Sequence, residues 1–300
     1  MKEAHSSILP IPTFGNLEQV SDAQLTRYAE LIYQKTGIRI SPQKKMLLSN
    51  RLRRRLRDTG IADFEAYYQH LKKLPSGDPE WNAFLQEITT HETYLFRDEV
   101  QWRWFRREYL AQIASDAQAG RRQRSLRIWS AACSTGDEVY TIACCIAGGL
   151  LNYQQWNITI LGTDIGAGAV EQARAGVFGE RAMRLVPEED RRRFFVKAKD
   201  AAVWQAGPAL KGMVSFRQHN LLEPLRLPPF DMVFLKNVLI YFDAASKKRV
   251  LENVRAAIKP GGMLITGAAE GVSEFLRDFE RLSPWLYRRP ATQRSTEVRR

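Results

Sequence analysis

Three places in the chain hold residues whose types and spacing could grip a nucleotide-like cofactor. The run Arg127 to Ala147, RIWSAACSTGDEVYTIACCIA, passes from strand-forming residues through the small turn-formers Ser130 to Gly136 into a helix with Glu138 near its start. Such a junction lets the backbone come close to a ligand at a helix N-terminus. Asp164 closes the next strand-like run, 28 residues beyond Gly136, where an acid can hold the hydroxyls of a ribose. The run Phe230 to Val238 leads straight into Leu239, Ile240, Tyr241, Phe242 and Asp243, which sets Asn237 and Tyr241 at the rim of a sheet beside that cleft. Taken singly, each has a plainer reading. A strand, a small-residue turn and a helix occur throughout doubly wound sheets, and an aspartate at a strand end can cap the helix that follows.

Positioning these residues requires a parallel sheet, and the pattern after residue 120 predicts one. Candidate strands are Leu126 to Ser130, Ile158 to Asp164, Val214 to His219, Asp231 to Lys236 and Gly262 to Thr266, with helices between most of them. The segment Ala256 to Thr266, AAIKPGGMLIT, reads as a helix ending at Lys259, a Pro-Gly-Gly turn whose glycines take positive φ, and a buried strand. A helix over Pro187 to Arg193 and the β-rich pieces Phe194 to Lys199 and Ala201 to Gln205 break the alternation; they predict an inserted antiparallel subdomain over about residues 178–218.

Before residue 120 no strand signal appears. Residues 1–20 read as a flexible arm. From Ser21, an N-cap residue, apolar positions recur at helical spacing until Gly37. A second helix runs from Pro42 to Thr59 with Met46, Leu47, Leu48, Leu52 and Leu56 inward, a third from Asp63 to Leu74, and a fourth from Trp81 to Thr89. These predict a small helical domain over 21–90, followed by a linker helix within 91–125 (Val100 to Ala119), a cofactor domain over 126–290 and a flexible tail over 291–300. The second helix carries Arg51, Arg53, Arg54, Arg55 and Arg57 after Lys44 and Lys45, seven positive charges before Asp58. So much like charge on one helix costs stability by self-repulsion, which favours a docking face for an acidic partner over a merely solvated one.

The net charge is +12; residues 1–120 carry 17 basic and 15 acidic side chains, residues 121–300 carry 28 and 18. The field so produced draws in anionic partners without naming them. The longest apolar stretch, Ile142 to Leu151, is too short to span a bilayer, and the first residues have no signal-type apolar core. Three cysteines, Cys133, Cys144 and Cys145, show no zinc-site spacing. Together these predict a cytoplasmic protein with no metal and no membrane insertion.

The Lys-Pro-Gly-Gly turn between helix and strand resembles the fifth-strand entry of Rossmann-like, S-adenosylmethionine-dependent methyltransferases of class I. Further motifs in order narrow the resemblance: THETYLFRD (Thr90–Asp98), WSAACSTGDEVY (Trp129–Tyr140), LGTD (Leu161–Asp164), HNLLE (His219–Glu223), LKNVLIYFD (Leu235–Asp243) and GAAE (Gly267–Glu270). From about Ser21 to Arg289 the chain is similar to the chemotaxis receptor glutamate methyltransferases, the CheR family. The resemblance implies an α/β fold: a class I methyltransferase domain with an inserted antiparallel β-subdomain, preceded by an all-α domain. It implies Arg97 and Tyr241 beside the transferring methyl, with His91, Thr93, Arg97, Glu138, Asp164, Asn220, Leu221, Asn237 and Val238 lining the cofactor.

It also implies S-adenosyl-L-methionine as cofactor, S-adenosyl-L-homocysteine as product, and glutamate methyl esters formed on the cytoplasmic helical domain of methyl-accepting chemotaxis receptors. The enzyme would act as a monomer and bind no nucleic acid. Four positions depart from the family pattern: His91 stands for Asn, Lys236 for Arg, Val139 for Pro, and Ala268-Ala269 for His-Ser. An imidazole cannot copy the donor and acceptor pair of an amide, and lysine keeps the charge of arginine without its planar fork. The loop KAKDAAVWQ (Lys197–Gln205) lacks the glycine-rich insertion of relatives that grip a receptor peptide, so no tethering peptide is expected. Two other readings compete, a nucleic-acid methyltransferase and a non-catalytic adaptor that binds the cofactor. A hydride-transferring enzyme is disfavoured because the first turn has one glycine, Gly136, where that fingerprint has three.

Overall fold

The computed structural model describes residues 19–75, 77–199 and 202–291. The expected arm over 1–20 and tail over 291–300 lie outside them except for residues 19, 20 and 291. The chain divides into two compact units, one made of residues up to Lys35 with Ile40–Ile88, the other of Thr36–Arg39 with Thr89 onward.

The first unit is helical: α1 (Asp22–Thr36), α2 (Lys45–Thr59), α3 (Phe64–Lys73) and α4 (Pro79–Ile88). Helix α1 starts on a reciprocal capping box, in which the Ser21 hydroxyl accepts from the Gln24 amide at 3.1 Å and the Gln24 side chain accepts from the Ser21 amide at 2.9 Å. Asp63 caps α3 by accepting from the Ala66 amide at 2.8 Å. Tyr28, Leu52, Leu56, Tyr67 and Phe84 are fully buried, and Tyr67 and Trp81 meet Phe84 edge to face. One expectation fails here. Met46 and Leu47 are exposed, at 59% and 44%. At 100° per residue the buried face is set by Leu48, Ser49, Leu52 and Leu56, and Ser49 lies inside because its hydroxyl accepts from the Val20 amide at 3.0 Å. Of the two apolar residues before Leu48, Leu47 falls opposite that face and Met46 beyond its edge.

In the second unit a seven-stranded sheet carries the site. Its strands are β1 (Ser125–Ala131), β2 (Asn157–Asp164), β6 (Val214–Gln218), β7 (Phe230–Leu235), β8 (Ile258–Thr266), β9 (Glu280–Ser283) and β10 (Leu286–Arg288), in the spatial order β6-β2-β1-β7-β8-β10-β9. The first five run parallel, and β10 is antiparallel to both neighbours. From β1 the chain winds outward to β2 and later returns to β7 on its other side; the reversal opens a crevice at the carboxyl ends of β1 and β7. Helices α7 (Asp137–Gly149), α8 (Ala167–Ala175) and α12 (Ala244–Ala257) connect the strands. The linker helix is α5 (Glu99–Trp104), a π-turn (Phe105–Tyr109) and α6 (Leu110–Gln118); Trp102 stacks on Phe234 of β7 at 5.2 Å.

Between α8 and β6 lie α9 (Glu180–Met183), α10 (Glu188–Phe194), α11 (Pro208–Lys211) and a small antiparallel sheet, β3 (Val177–Gly179), β5 (Val203–Ala206) and β4 (Phe195–Lys197), in that spatial order. Val214–Gln218 pairs in parallel with β2, as expected of a strand of the main sheet, so the antiparallel insertion stops short of residue 218; Val214 and Phe216 pack on the main core. The Lys-Pro-Gly-Gly segment also differs from expectation. Helix α12 ends at Ala257, and Lys259–Gly262 form a bulge within β8, with register shifting between Phe230↔Ile258 and Met232↔Met263. Gly261 has φ +76°, but Gly262 does not take positive φ. It is glycine for room, since a Cβ there would lie 2.9 Å from the Lys259 carbonyl oxygen and 3.0 Å from that of Asp231.

Candidate active site

The turn after β1 is wound by three left-handed residues, Ala132 (φ +65°), Ser134 (φ +51°) and Gly136 (φ +90°). Only the last is free of a Cβ penalty, and it needs to be, because a Cβ at Gly136 would stand 2.8 Å from that of Ala173 on α8. The turn is tied to β2: the Cys133 amide donates to the Thr163 carbonyl and the Ser134 amide to Asp164 Oδ2, both at 2.8 Å. Asp164 Oδ1 accepts from the Gly166 amide at 2.9 Å, so this aspartate braces the turn before it and the start of α8 after it. The three cysteines are buried thiols; burial pushes Cys145 up to about 12 and Cys133 well above its usual value, which makes both inert.

Arg97 lies between two further left-handed residues, Phe96 (φ +59°) and Asp98 (φ +67°). Such conformations persist where the surroundings over-determine them, and here they do. The Phe96 amide donates to Thr141 Oγ1 at 3.0 Å, while the Trp102 indole N–H and the Lys236 ammonium donate to the Arg97 carbonyl. The guanidinium thus aimed donates through Nη2 to Asn237 Oδ1 at 3.0 Å and through Nη1 to the Glu92 carbonyl at 3.3 Å. Asn237 is itself left-handed, φ +58°. Of six non-glycine residues with positive φ among those described, only Asn152 is away from this rim.

Lys236, at the end of β7, joins the pieces. Its ammonium lies 3.1 Å from Asp98 and 3.5 Å from Glu138, over the Trp102 ring at 4.7 Å. Glu138 also accepts from the Ser130 hydroxyl at 2.8 Å. Burial pushes the Glu138 carboxyl up, against the pull of Lys236 and Ser130. Lys236 therefore keeps a cation between two carboxylates.

The remaining expected residues fall into two groups. His91 Nδ1 is 4.0 Å from Asp164 Oδ1, and its Nε2 shares a hydrogen bond of 2.7 Å with the Thr89 hydroxyl. With Thr93 it lines a cavity of about 510 Å³ that continues over Thr135, Asp137, Gln172 and Phe178. Asn220, Leu221, Val238 and Tyr241 belong to turns. Asn220 Oδ1 accepts from the Leu222 amide at 3.1 Å, Leu221 is buried, and Tyr241 ends a 3₁₀ turn over Leu239–Tyr241 whose carbonyl accepts from the Arg39 amide at 3.0 Å. The structure thus brings His91, Arg97, Glu138, Asp164 and Asn237 to one set of strand ends. Ser130, Asp98 and the charge-bridging place of Lys236 are visible only in the fold; a small hydroxyl and a second acid beside a lysine carry no spacing signal.

The arginines of α2 divide. Arg55 is 12% exposed and forms a two-pronged contact with Glu80 of α4, at 3.0 and 2.7 Å, to which the Tyr67 hydroxyl also donates. Arg51 donates to the Ile88 carbonyl at the end of α4. Arg54 pairs with Glu87 at 2.7 Å with half its side chain in solvent, Arg53 donates to Asn50, and Arg57 is exposed. Of the five expected docking residues, Arg51, Arg54 and Arg55 tie α2 to α4, Arg54 with half its side chain still in solvent.

An ionised carboxylate has about four acceptor positions. Asp164 uses one on each amide it binds, leaving capacity for ribose hydroxyls, and Glu138 keeps capacity for a cationic group; with an open turn beside them, these residues fit an adenosyl amino acid. A mostly parallel sheet with one reversed strand, an acid closing β2 and this rim define a class I, S-adenosylmethionine-dependent methyltransferase. Residues 91–285 match the model of the CheR methyltransferase SAM-binding domain, and residues 23–89 that of the CheR methyltransferase all-alpha domain. The chain belongs to the CheR methyltransferase family. It is 34% identical over 264 residues to a chemotaxis protein methyltransferase of Klebsiella aerogenes, covering 87% of each chain. It is 32% identical over 273 residues to that of Salmonella typhimurium, covering 89% of this chain and 90% of the relative. Chemotaxis protein methyltransferase 2 of Pseudomonas aeruginosa is 34% identical over 266 residues, 87% of this chain and 91% of the relative.

Proposed function

We propose that this chain methylates glutamate side chains in the cytoplasmic helical domain of bacterial chemotaxis receptors, forming methyl esters, and that it works as a monomer in the cytoplasm. One observation carries the reading: the Arg97 guanidinium, held by Asn237 at 3.0 Å, stands at the same strand ends as the Asp164 and Glu138 carboxylates. That arrangement offers a cationic hand for an anionic acceptor next to acids suited to an adenosyl amino acid.

S-adenosylmethionine supplies a methyl group on cationic sulfur. A glutamate carboxylate is already an anion at neutral pH, so the protein has no proton to remove and its work is orientation and the exclusion of water. Orientation can supply roughly 7 to 11 kcal/mol of a barrier at best, and stripping water strengthens every charge interaction in the site. Arg97 positions the acceptor carboxylate, and the Tyr241 hydroxyl donates a hydrogen bond that shapes the site. Asp164 accepts from ribose hydroxyls and Glu138 from the cofactor's ammonium; His91, Thr93, Asn220, Leu221, Asn237 and Val238 line the same cofactor. The arginines of α2 that keep charge toward solvent, Arg54 and Arg57 with the partly exposed Arg53, steer the acidic receptor helix.

Incubation with methyl-labelled cofactor and receptor-bearing membranes, followed by alkali, tests the reading. Label released as methanol is the expected result, because esters are base-labile. Alkali-stable label would mean a methylated amine. Cofactor bound in calorimetry with no label transferred would mean an adaptor.

A further inference from the structure

The segment after β8, Gly267 to Gly271, carries a buried acid that the proposed mechanism does not use. Glu270 is 1% exposed. Its Oε1 accepts from the Val238 amide at 3.2 Å, and the amides of Asn237, Leu239 and Ile240 face the same carboxylate. Oε2 has no hydrogen-bond partner. The acid is anchored through its own backbone, whose carbonyl accepts from the Lys247 ammonium at 2.8 Å, and it is packed closely: a Cβ at Gly267 would lie 2.9 Å from Oε1 and 3.1 Å from the Asn237 nitrogen. The Val238 amide that this carboxylate holds lies between the left-handed Asn237 and the 3₁₀ turn that ends in Tyr241, with the neighbouring amides turned toward the same acid. Amides turned toward one carboxylate make a concavity that holds their backbone in a fixed, uncommon conformation.

We propose that Glu270 is a positioning residue for methyl transfer: its carboxylate, set beneath the Asn237–Tyr241 turn, fixes the backbone that presents Asn237 to Arg97 and Tyr241 to the reacting carboxylate. The proposal rests on the reading of that rim as the methyl-transfer site. Glu270 acts from behind the turn. Its loss therefore lowers the rate of the bound complex more than the binding of receptor, since a displacement of about 1 Å costs on the order of 100-fold in rate.

Glu270→Ala and Glu270→Gln test it, with transfer kinetics, calorimetry with S-adenosylhomocysteine and amide hydrogen exchange measured on each. For Glu270→Ala the expected result is a fall in kcat of about 100-fold with receptor KM within about threefold. Exchange at Val238 to Tyr241 should rise at least about tenfold while exchange in β1 and β2 stays at the parent's rate. Glu270→Gln keeps an acceptor oxygen for the Val238 amide and should recover kcat to within about tenfold of the parent. Parental kcat in the alanine variant, or unchanged exchange at Val238 to Tyr241, overturns the proposal. If the alanine variant does not fold, Glu270→Gln decides: a few-fold loss of kcat with faster exchange confined to Val238 to Tyr241 supports it, and parental values of both overturn it. A parent protein that transfers no methyl to receptors would sink the reading of the site, whereas exchange at these four amides would still report on Glu270.

Discussion

Helix α2 and the rim of the large sheet both carry cationic side chains, and they use them differently. On α2 the side chains nearest the core are internal ties: Arg55 joins α4 through Glu80, and Arg51 closes the end of α4. At the rim Lys236 lies between Asp98 and Glu138, and Arg97 is held on Asn237. A run of arginines on a helix faces in all directions, so its count overstates the charge offered to a partner. Two cations brought from 139 residues apart in sequence are harder to see and are the better placed for chemistry.

Arg97→Ala should lower kcat about 100-fold or more in the labelled transfer assay while the unfolding transition stays near the parent's; a rate within twofold of the parent would end the contrast. Arg55→Ala should do the reverse. It leaves Glu80 and the Tyr67 hydroxyl without their cation, lowers stability by about 2 kcal/mol in denaturant melts, and leaves kcat unchanged below the transition. Replacing Arg53, Arg54 and Arg57 together by alanine should cut kcat/KM about tenfold at low salt, and the parent's decline with ionic strength should flatten in that variant. The smallest effect concerns Glu138, whose carboxyl burial raises above the ordinary 4.5. The ionised form is the one that faces Lys236 and a cofactor ammonium, so affinity for the cofactor is lost as pH falls through that raised value. Calorimetry should show a few-fold weakening on mild acidification that Glu138→Gln abolishes.

Much of the frame was legible because its signals are local. Ser21 announces the start of α1, and the alternation of apolar strands and helices announces the parallel sheet; Asp164 and Asn237 follow from where such strands must end. What escaped depends on partners distant in sequence. Nothing near Met46 and Leu47 says that the buried face is chosen by Leu48, Leu52 and Leu56 and by a serine paired with Val20. The early start of β8 depends on a bulge that only the register with β7 reveals. Glu270 looks like any loop acid until the amides of Asn237 to Ile240 are seen around it.

Five non-glycine residues in left-handed conformations surround the proposed site, Phe96, Asp98, Ala132, Ser134 and Asn237, and each holds back on the order of 1 to 3 kcal/mol of folding free energy. A protein engineer selecting this chain for heat resistance would be led to these positions, where glycine relaxes the backbone. The variants so recovered would melt later and turn over more slowly, because the tension released at Ala132 or Ser134 is what keeps the turn against Asp164 in one shape. Durability and speed are set against each other in the same few peptide units.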